Sequence, residues 1–234
     1  MKRDEDDSKA RQASGSGIFS KLTGDFEKIL TNISIVSGYW LITDEFAFIE
    51  GFLDPIEGYA LYLLSKFGPG IGTIVEIGSY AGRSTAYLAR GSKEARREKV
   101  IAVDHFEGSP EHREGGDHES AFVKNNNLYD VFIHNLNRAK VSDRVSVIKK
   151  SSCAAAADWR HPIRLLFIDG DHSYEDSKRD FECWSEWLVP EGLAVFHDIE
   201  SFQGVTTFYN ELLAGGQYGE VLSVDSLRVV SKIA

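Results

Sequence analysis

Four apolar runs in this chain end in or beside acids. Glu76 lies within Ile74-Val-Glu-Ile77, Asp104 follows Val100-Ile-Ala-Val103, Asp169 follows Leu165-Leu-Phe-Ile168, and His197-Asp198 follows Ala194-Val-Phe196. If the runs are parallel strands, these residues share the crevice beyond the carboxyl ends, where open α/β sheets bind ligands. Acids converging there suit a cationic ligand, a metal ion or both. The stretch Asp169-Gly-Asp-His172 adds Asp171 and His172 on a strand-to-helix loop. Oxygen-rich ligation with one imidazole suits Mg²⁺ or Mn²⁺ better than a structural zinc. A hydroxyl nucleophile must lose its proton, and an imidazole with an unperturbed pKa of about 6.5 can take it at neutral pH. His172 is the first candidate for that base and Asp171 the second. Each has a structural alternative: Asp171 as N-cap of a helix starting near Ser173, His172 as a helix-start residue bonded to backbone.

A glycine turn follows the first run. In Ile74-Val-Glu-Ile-Gly-Ser-Tyr-Ala-Gly-Arg-Ser-Thr85 a buried strand leads through Gly78 and Gly82 into a helix. Gly78 lets the chain turn without a Cβ clash, Gly82 permits close backbone approach, and the helix amides face the ligand. Glu76, Gly78, Ser79, Tyr80, Gly82 and Ser84 are therefore expected around a nucleotide-like cofactor. The dinucleotide fingerprint G-x-G-x-x-G is broken, because Tyr80 and Arg83 stand at its second and third glycine positions. A pyrophosphate loses its closest-fitting site, which disfavours a nicotinamide-dependent oxidoreductase. Asp104 can accept hydrogen bonds from both hydroxyls of a ribose. His105 and Phe106 are expected to flank the nucleoside, and Ser151 or Ser152 either bonds the edge of its base or caps a helix.

The elements must bring these residues together. Strands are read at 73–78, 99–104, 144–149, 164–169 and 192–197, with helices at 82–91, about 120–139 and about 174–187. Such alternation implies an α/β, Rossmann-like, doubly wound and mostly parallel sheet with right-handed crossovers. A helix at 204–213 and short strands at 220–224 and 227–230 add a C-terminal antiparallel pair. Residues 1–17 read as a disordered tail. Residues 18–70 read as an N-terminal helical cap, with Phe19, Leu22, Phe26, Ile29 and Leu30 at helical spacing and Pro55 interrupting an apolar segment from Phe46 to Phe67. The main domain spans 71–234 and carries a polar, lid-like insert at 107–127. The spacing of His105, His112 and His118 fits no metal-ligand pattern. Phe181, Trp184 and Trp187 read as core.

With 234 residues the chain has room for one α/β domain with a sizeable core. A net charge of −10 argues against a nucleic-acid partner. No run approaches the roughly 18 apolar residues that span a bilayer, and the N-terminus is charged rather than an apolar leader, so a cytoplasmic location away from membranes is expected. Cys153 and Cys183 have no C-x-x-C partner and suggest neither a zinc site nor a disulfide framework; they read as reduced core thiols. The apolar N-terminal helices offer a surface for a homo-oligomer.

Glu76-x-Gly78-x-x-x-Gly82 resembles motif I of class I S-adenosylmethionine-dependent methyltransferases. Phe167-Ile-Asp-Gly-Asp-His-Ser-Tyr-Glu175 and Leu188-Val-Pro-Glu-Gly-Leu-Ala-Val-Phe-His-Asp198 are similar to the family of catechol-type and macrolide or aminocoumarin sugar O-methyltransferases, which includes the cephalosporin hydroxylase-associated proteins. The resemblance covers residues 45 to 232. It implies the class I methyltransferase fold, S-adenosylmethionine as cofactor with Asp169 at its border, and a small hydroxylated methyl acceptor. It also implies a divalent ion, Mg²⁺ or Mn²⁺, on Asp169, His197 and Asp198, with the general base two or three positions after Asp169. His197 departs from the acid or amide usual in relatives. A non-catalytic scaffold of the same fold is the alternative.

Overall fold

The computed structural model describes residues 36–233. The tail at 1–17 and the apolar periodicity from Phe19 to Leu30 lie outside the described residues. The chain divides into two compact units, Met1–Ile42 and Thr43–Ala234. In the first, residues 36–42 are helical, and this helix, α1, runs on to residue 46. The second unit contains α2 (Pro55–Phe67), β1 (Thr73–Ile77), α3 (Arg83–Ala95), β2 (Val100–Val103), α4 (Ala121–Lys124), α5 (Leu128–Arg138) and β3 (Val145–Ile148). It continues through α6 (Ser152–Ala156), β4 (Ile163–Ile168), α7 (Tyr174–Ser185), β5 (Leu188–Phe196), α8 (Gln203–Ala214), β6 (Tyr218–Val224) and β7 (Leu227–Lys232). No helix among the described residues is long and apolar enough to cross a membrane.

The strands form one sheet in the order β3-β2-β1-β4-β5-β7-β6. The first five run parallel, while β7 pairs antiparallel with both β5 and β6. The central parallel strands are buried on both faces rather than alternating; every residue of β4 is buried. Strand order reverses between β1 and β4, and the crossovers diverging there leave a crevice at the carboxyl ends.

Three local readings are corrected by the structure. Pro55 starts a helix instead of interrupting one. It takes the first helical position, where its missing N–H leaves nothing unpaired, behind a capping box in which Asp54 accepts from the helix and Glu57 reaches back to the Asp54 amide at 3.0 Å. α2 then packs on α3 through two glycines: a Cβ on Gly58 would lie 2.3 Å from the Tyr87 ring, and one on Gly91 2.3 Å from the Tyr62 carbonyl. α2 thus lies within the second unit, Thr43–Ala234. The helix read over 120–139 breaks at the three asparagines 125–127, where Asn126 takes φ 51°.

The third correction concerns the cysteines. Cys153 and Cys183 form a disulfide, with 5.6 Å between their Cα atoms, and both are half-buried. Their separation in sequence concealed this. α6 and α7 pack side by side, and the Trp184 indole donates to the Ser152 hydroxyl at 3.0 Å beside the bridge.

Candidate active site

Gly78 brings the two key loops together. Its φ is +82°, and a Cβ there would sit 2.0 Å from the Asp169 carbonyl oxygen. Any side chain would force the turn after β1 away from the loop after β4. Asp104 ties the same turn to β2. Its Oδ2 accepts from the amides of Ser79 at 2.8 Å and Tyr80 at 3.0 Å, and its Oδ1 accepts from Phe106 at 2.6 Å. A carboxylate has about four acceptor positions. One remains, so in this arrangement Asp104 can take one ribose hydroxyl, not the expected pair.

A cavity of ≈ 620 Å³ opens at this crevice. Its wall brings together Gly78, Ser79, Tyr80, Ser84, Asp104, His105, Ser151, Ser152, Asp169, Asp171, His172, His197 and Asp198. Glu76, Gly82 and Phe106, also expected around the cofactor, lie behind that wall. Glu76 is fully buried and its Oε2 accepts from the hydroxyls of Ser79, at 2.8 Å, and Thr85. Burial pushes its carboxyl up to about 7 against the pull of the Ser84, Thr85 and Ser79 hydroxyls. It braces the turn from beneath. Gly82 gives its close approach to a protein ring, since a Cβ would meet Phe132 at 3.0 Å. Phe106, at φ 61°, packs its ring 5.1 Å from both Tyr129 and Phe132. Ser151 is the N-cap residue of α6 but makes no side-chain cap bond.

The acids do gather, but around a different imidazole from the one expected. Ligand atoms of Asp169, His172 and Asp198 all lie within 4.8 Å of one another. His197, 4% exposed, is already enclosed. Its Nε2 bonds Glu57 at 3.0 Å, and its Nδ1 lies 3.0 Å from Asp169 and 3.1 Å from Asp198. Both ring nitrogens face carboxylates, so neither offers a lone pair to a metal. Burial works against a charge on His197, yet Asp169, Asp198 and Glu57 together raise its pKa far above the usual histidine range. The group whose geometry could hold an ion thus contains His172, not His197.

His172 is also not a free base in this arrangement. Its Nε2 lies 2.9 Å from Asp198 and its Nδ1 2.8 Å from Glu111, while its ring stacks on Phe202 at 4.0 Å. Burial disfavours the imidazolium, but Asp198 and Glu111 hold its pKa up at about 10. At neutral pH it is protonated and cannot accept a proton. The helix-cap alternative for Asp171 passes to Ser173, whose hydroxyl accepts from the Asp176 amide at 3.0 Å. Asp171 accepts from the Ser173 amide at 3.0 Å and lines the cavity.

Two supporting residues escaped sequence reasoning. Glu57, 2% exposed, holds His197 with one oxygen and the Ser226 amide and hydroxyl with the other, at 2.9 and 2.7 Å. The capping spacing Asp54-x-x-Glu57 was visible, but nothing local indicated that the same carboxylate reaches β5. Glu111 belongs to the insert, which is docked: the Tyr80 hydroxyl bonds Ser120 at 2.7 Å, and His112 stacks on Phe52 at 5.2 Å.

This fold is shared with known methyltransferases. The O-methyltransferase NovP superposes with a TM-score of 0.60 at 15% identity, over 76% of this chain and 79% of that one. An O-methyltransferase from Bacillus cereus in complex with SAH gives 0.55 at 21% identity, over 85% and 91%. The uncharacterized protein y4gI of Sinorhizobium fredii (strain NBRC 101917 / NGR234) is 30% identical over 149 residues, 60% of this chain. The chain spans only 15% of the length of that relative. Residues 75–199, more than half of the chain, match the methyltransferase domain family, and the chain belongs to that family.

Proposed function

We propose that the protein transfers the methyl group of S-adenosylmethionine to a hydroxyl oxygen of a small acceptor, a sugar or natural-product intermediate, with a divalent ion assisting. One observation carries this reading: the turn from Gly78 to Ser84 and the set Asp169, His172, Asp198 open into the same cavity. A sulfonium is drawn to such an acidic wall. Methyl transfer then needs acceptor oxygen, methyl carbon and sulfur in line, which is a positioning task.

Asp169 and Asp198 fit Mg²⁺ or Mn²⁺, and the His172 imidazole would join them on giving up its proton. When bound there, the ion would lower the pKa of the acceptor hydroxyl. Asp171, on the same wall and outside the ligand set, takes the acceptor's proton. Glu57 and His197 hold Asp169 and Asp198 in place from behind. The insert carrying Glu111, His112 and His118 shuts water from the reacting atoms.

A non-catalytic scaffold has one observation in its favour: His172 and His197 neutralise the acids and leave Asp171 as the base. Calorimetric titration of S-adenosylmethionine and S-adenosylhomocysteine, followed by labelled-methyl transfer to a panel of hydroxylated acceptors, separates the readings. Saturable binding with transfer is expected. Binding without transfer to any acceptor favours the scaffold, and absence of binding overturns both. For the ion, Mn²⁺ affinity measured by electron paramagnetic resonance should fall about tenfold or more in His172→Ala. An unchanged affinity would remove His172 from the set.

A further inference from the structure

Part of the cavity wall rests on a very short helix. α6 has five residues, too few to stay helical without tertiary support. Its N-cap residue, Ser151, makes no side-chain cap bond, and the strand leading into it, β3, is an edge strand of the sheet. α7 is firm by contrast: Ser173 caps it, and its Phe181 and Trp184 are buried in the core. Both segments line the cavity, one through Ser151 and Ser152, the other through Asp176, Arg179 and Asp180. The Cys153–Cys183 bridge is the covalent tie between them, and Cys153 Sγ also lies 3.8 Å from the Arg179 carbonyl oxygen. Among the described residues, the side-chain hydrogen bonding of α6 to α7 runs through Ser152, which meets the Trp184 indole at 3.0 Å and the Asp180 carboxyl. The bridged cysteines are 30 positions apart, and the chain between them carries β4 and the loop from Asp169 to His172. Both cysteines are half-buried, which leaves the bridge open to a small thiol.

We propose that this bridge is a thiol–disulfide switch on the cavity: when it is closed, α6 is fixed and the cofactor binds, and when it is reduced, α6 opens locally and binding weakens. The choice of cofactor rests on the methyltransferase reading. The reductant is a dithiol. One of its sulfurs, as thiolate, attacks a sulfur of the bridge, which forms a mixed disulfide and releases the other cysteine; its second sulfur then displaces the cysteine still held. Two electrons and two protons pass to the protein, which ends with two thiols, and the dithiol ends as a disulfide. α6 is then held by Ser152 and by the burial of Ala155 and Ala156, whose single methyl groups remove little apolar area from water. With α6 in place in about one molecule in five, the apparent affinity of the cavity for its ligand falls about fivefold.

The test is calorimetric titration of S-adenosylhomocysteine into wild type with the bridge closed and after reduction by dithiothreitol, with thiol titration and circular dichroism on each form. The reduced form should stay folded, bind at least about fivefold more weakly and recover on reoxidation. Its Ala155 and Ala157 amides, which donate to the Ser151 and Cys153 carbonyls at 3.0 Å, should exchange hydrogen faster than in the bridged form. The double variant Cys153→Ser, Cys183→Ser should match reduced wild type and ignore dithiothreitol. Equal affinities in the two wild-type forms, a comparison that needs no variant, would overturn the proposal, as would unchanged exchange at α6. Global unfolding on reduction would overturn it too, by making the bridge a staple rather than a switch. If neither form binds S-adenosylhomocysteine, the methyltransferase reading itself fails, while the exchange measurement still decides whether reduction opens α6.

Discussion

Replacing Glu76 by Gln should make the protein more stable than wild type at alkaline pH and not at acid pH. Glu76 is fully buried, and its Oε1 has no hydrogen-bond partner among the described residues. Burial raises its carboxyl from 4.5 to about 7. An acid whose folded pKa exceeds its unfolded value contributes stability below the unfolded value and loses it as pH rises through the folded one. The window here runs from about 4.5 to about 7. At 1.36 kcal/mol per pKa unit, the loss across it is about 3 kcal/mol. For a chain of this length that is a melting shift of about 6–12 °C. Glutamine does not titrate, and its carbonyl can accept from Ser79 and Thr85 as the neutral acid does. Scanning calorimetry of both proteins from about pH 5 to pH 8 should show the variant's melting point gaining on wild type by most of that amount. An offset that stays constant within about 2 °C across the range would refute the reasoning.

Three further outcomes are expected. Gly78→Ala should abolish S-adenosylhomocysteine binding and lower the melting point, because its Cβ would fall 2.0 Å from the Asp169 carbonyl at φ +82°; calorimetry showing normal affinity would contradict the contact. Arg164 is 1% exposed, pairs with Glu98 and donates to the carbonyls of Leu64, at 3.3 Å, and Ser65, at 2.5 Å. Arg164→Ala should therefore cost about 3–5 kcal/mol in urea unfolding, and a loss below about 1 kcal/mol would show the network to be dispensable. Cys183→Ser should cost about 3–4 kcal/mol through the opened loop. Two free thiols titrated in unreduced, denatured wild type would show instead that the bridge does not form.

Much of the architecture was legible because its signals are local. Apolar runs ending in Asp104, Asp169 and Asp198 mark strands whose ends face one crevice, and the five parallel strands lie close to where they were read. Gly78 announced a turn that tolerates no side chain. Element ends were less legible. The asparagines at 125–127 break a periodicity that otherwise continues, and Pro55 means a start or a stop according to whether Asp54 and Glu57 close a capping box around it.

By itself, the sequence determined the sheet, its crossovers and most of the expected residues that line the crevice, because strand period, glycine turns and chain order need no distant partner. Tertiary structure alone decided which imidazole is enclosed between Glu57 and the acids Asp169 and Asp198. His172 and His197 are equally plausible on paper, and only the packing of α2, which puts Glu57 against His197 Nε2, commits one ring to the interior. The same holds for the Cys153–Cys183 bridge. Each depends on the angle at which one helix lies against its neighbours. That angle is set by the summed packing of the core, which no spacing within a segment records.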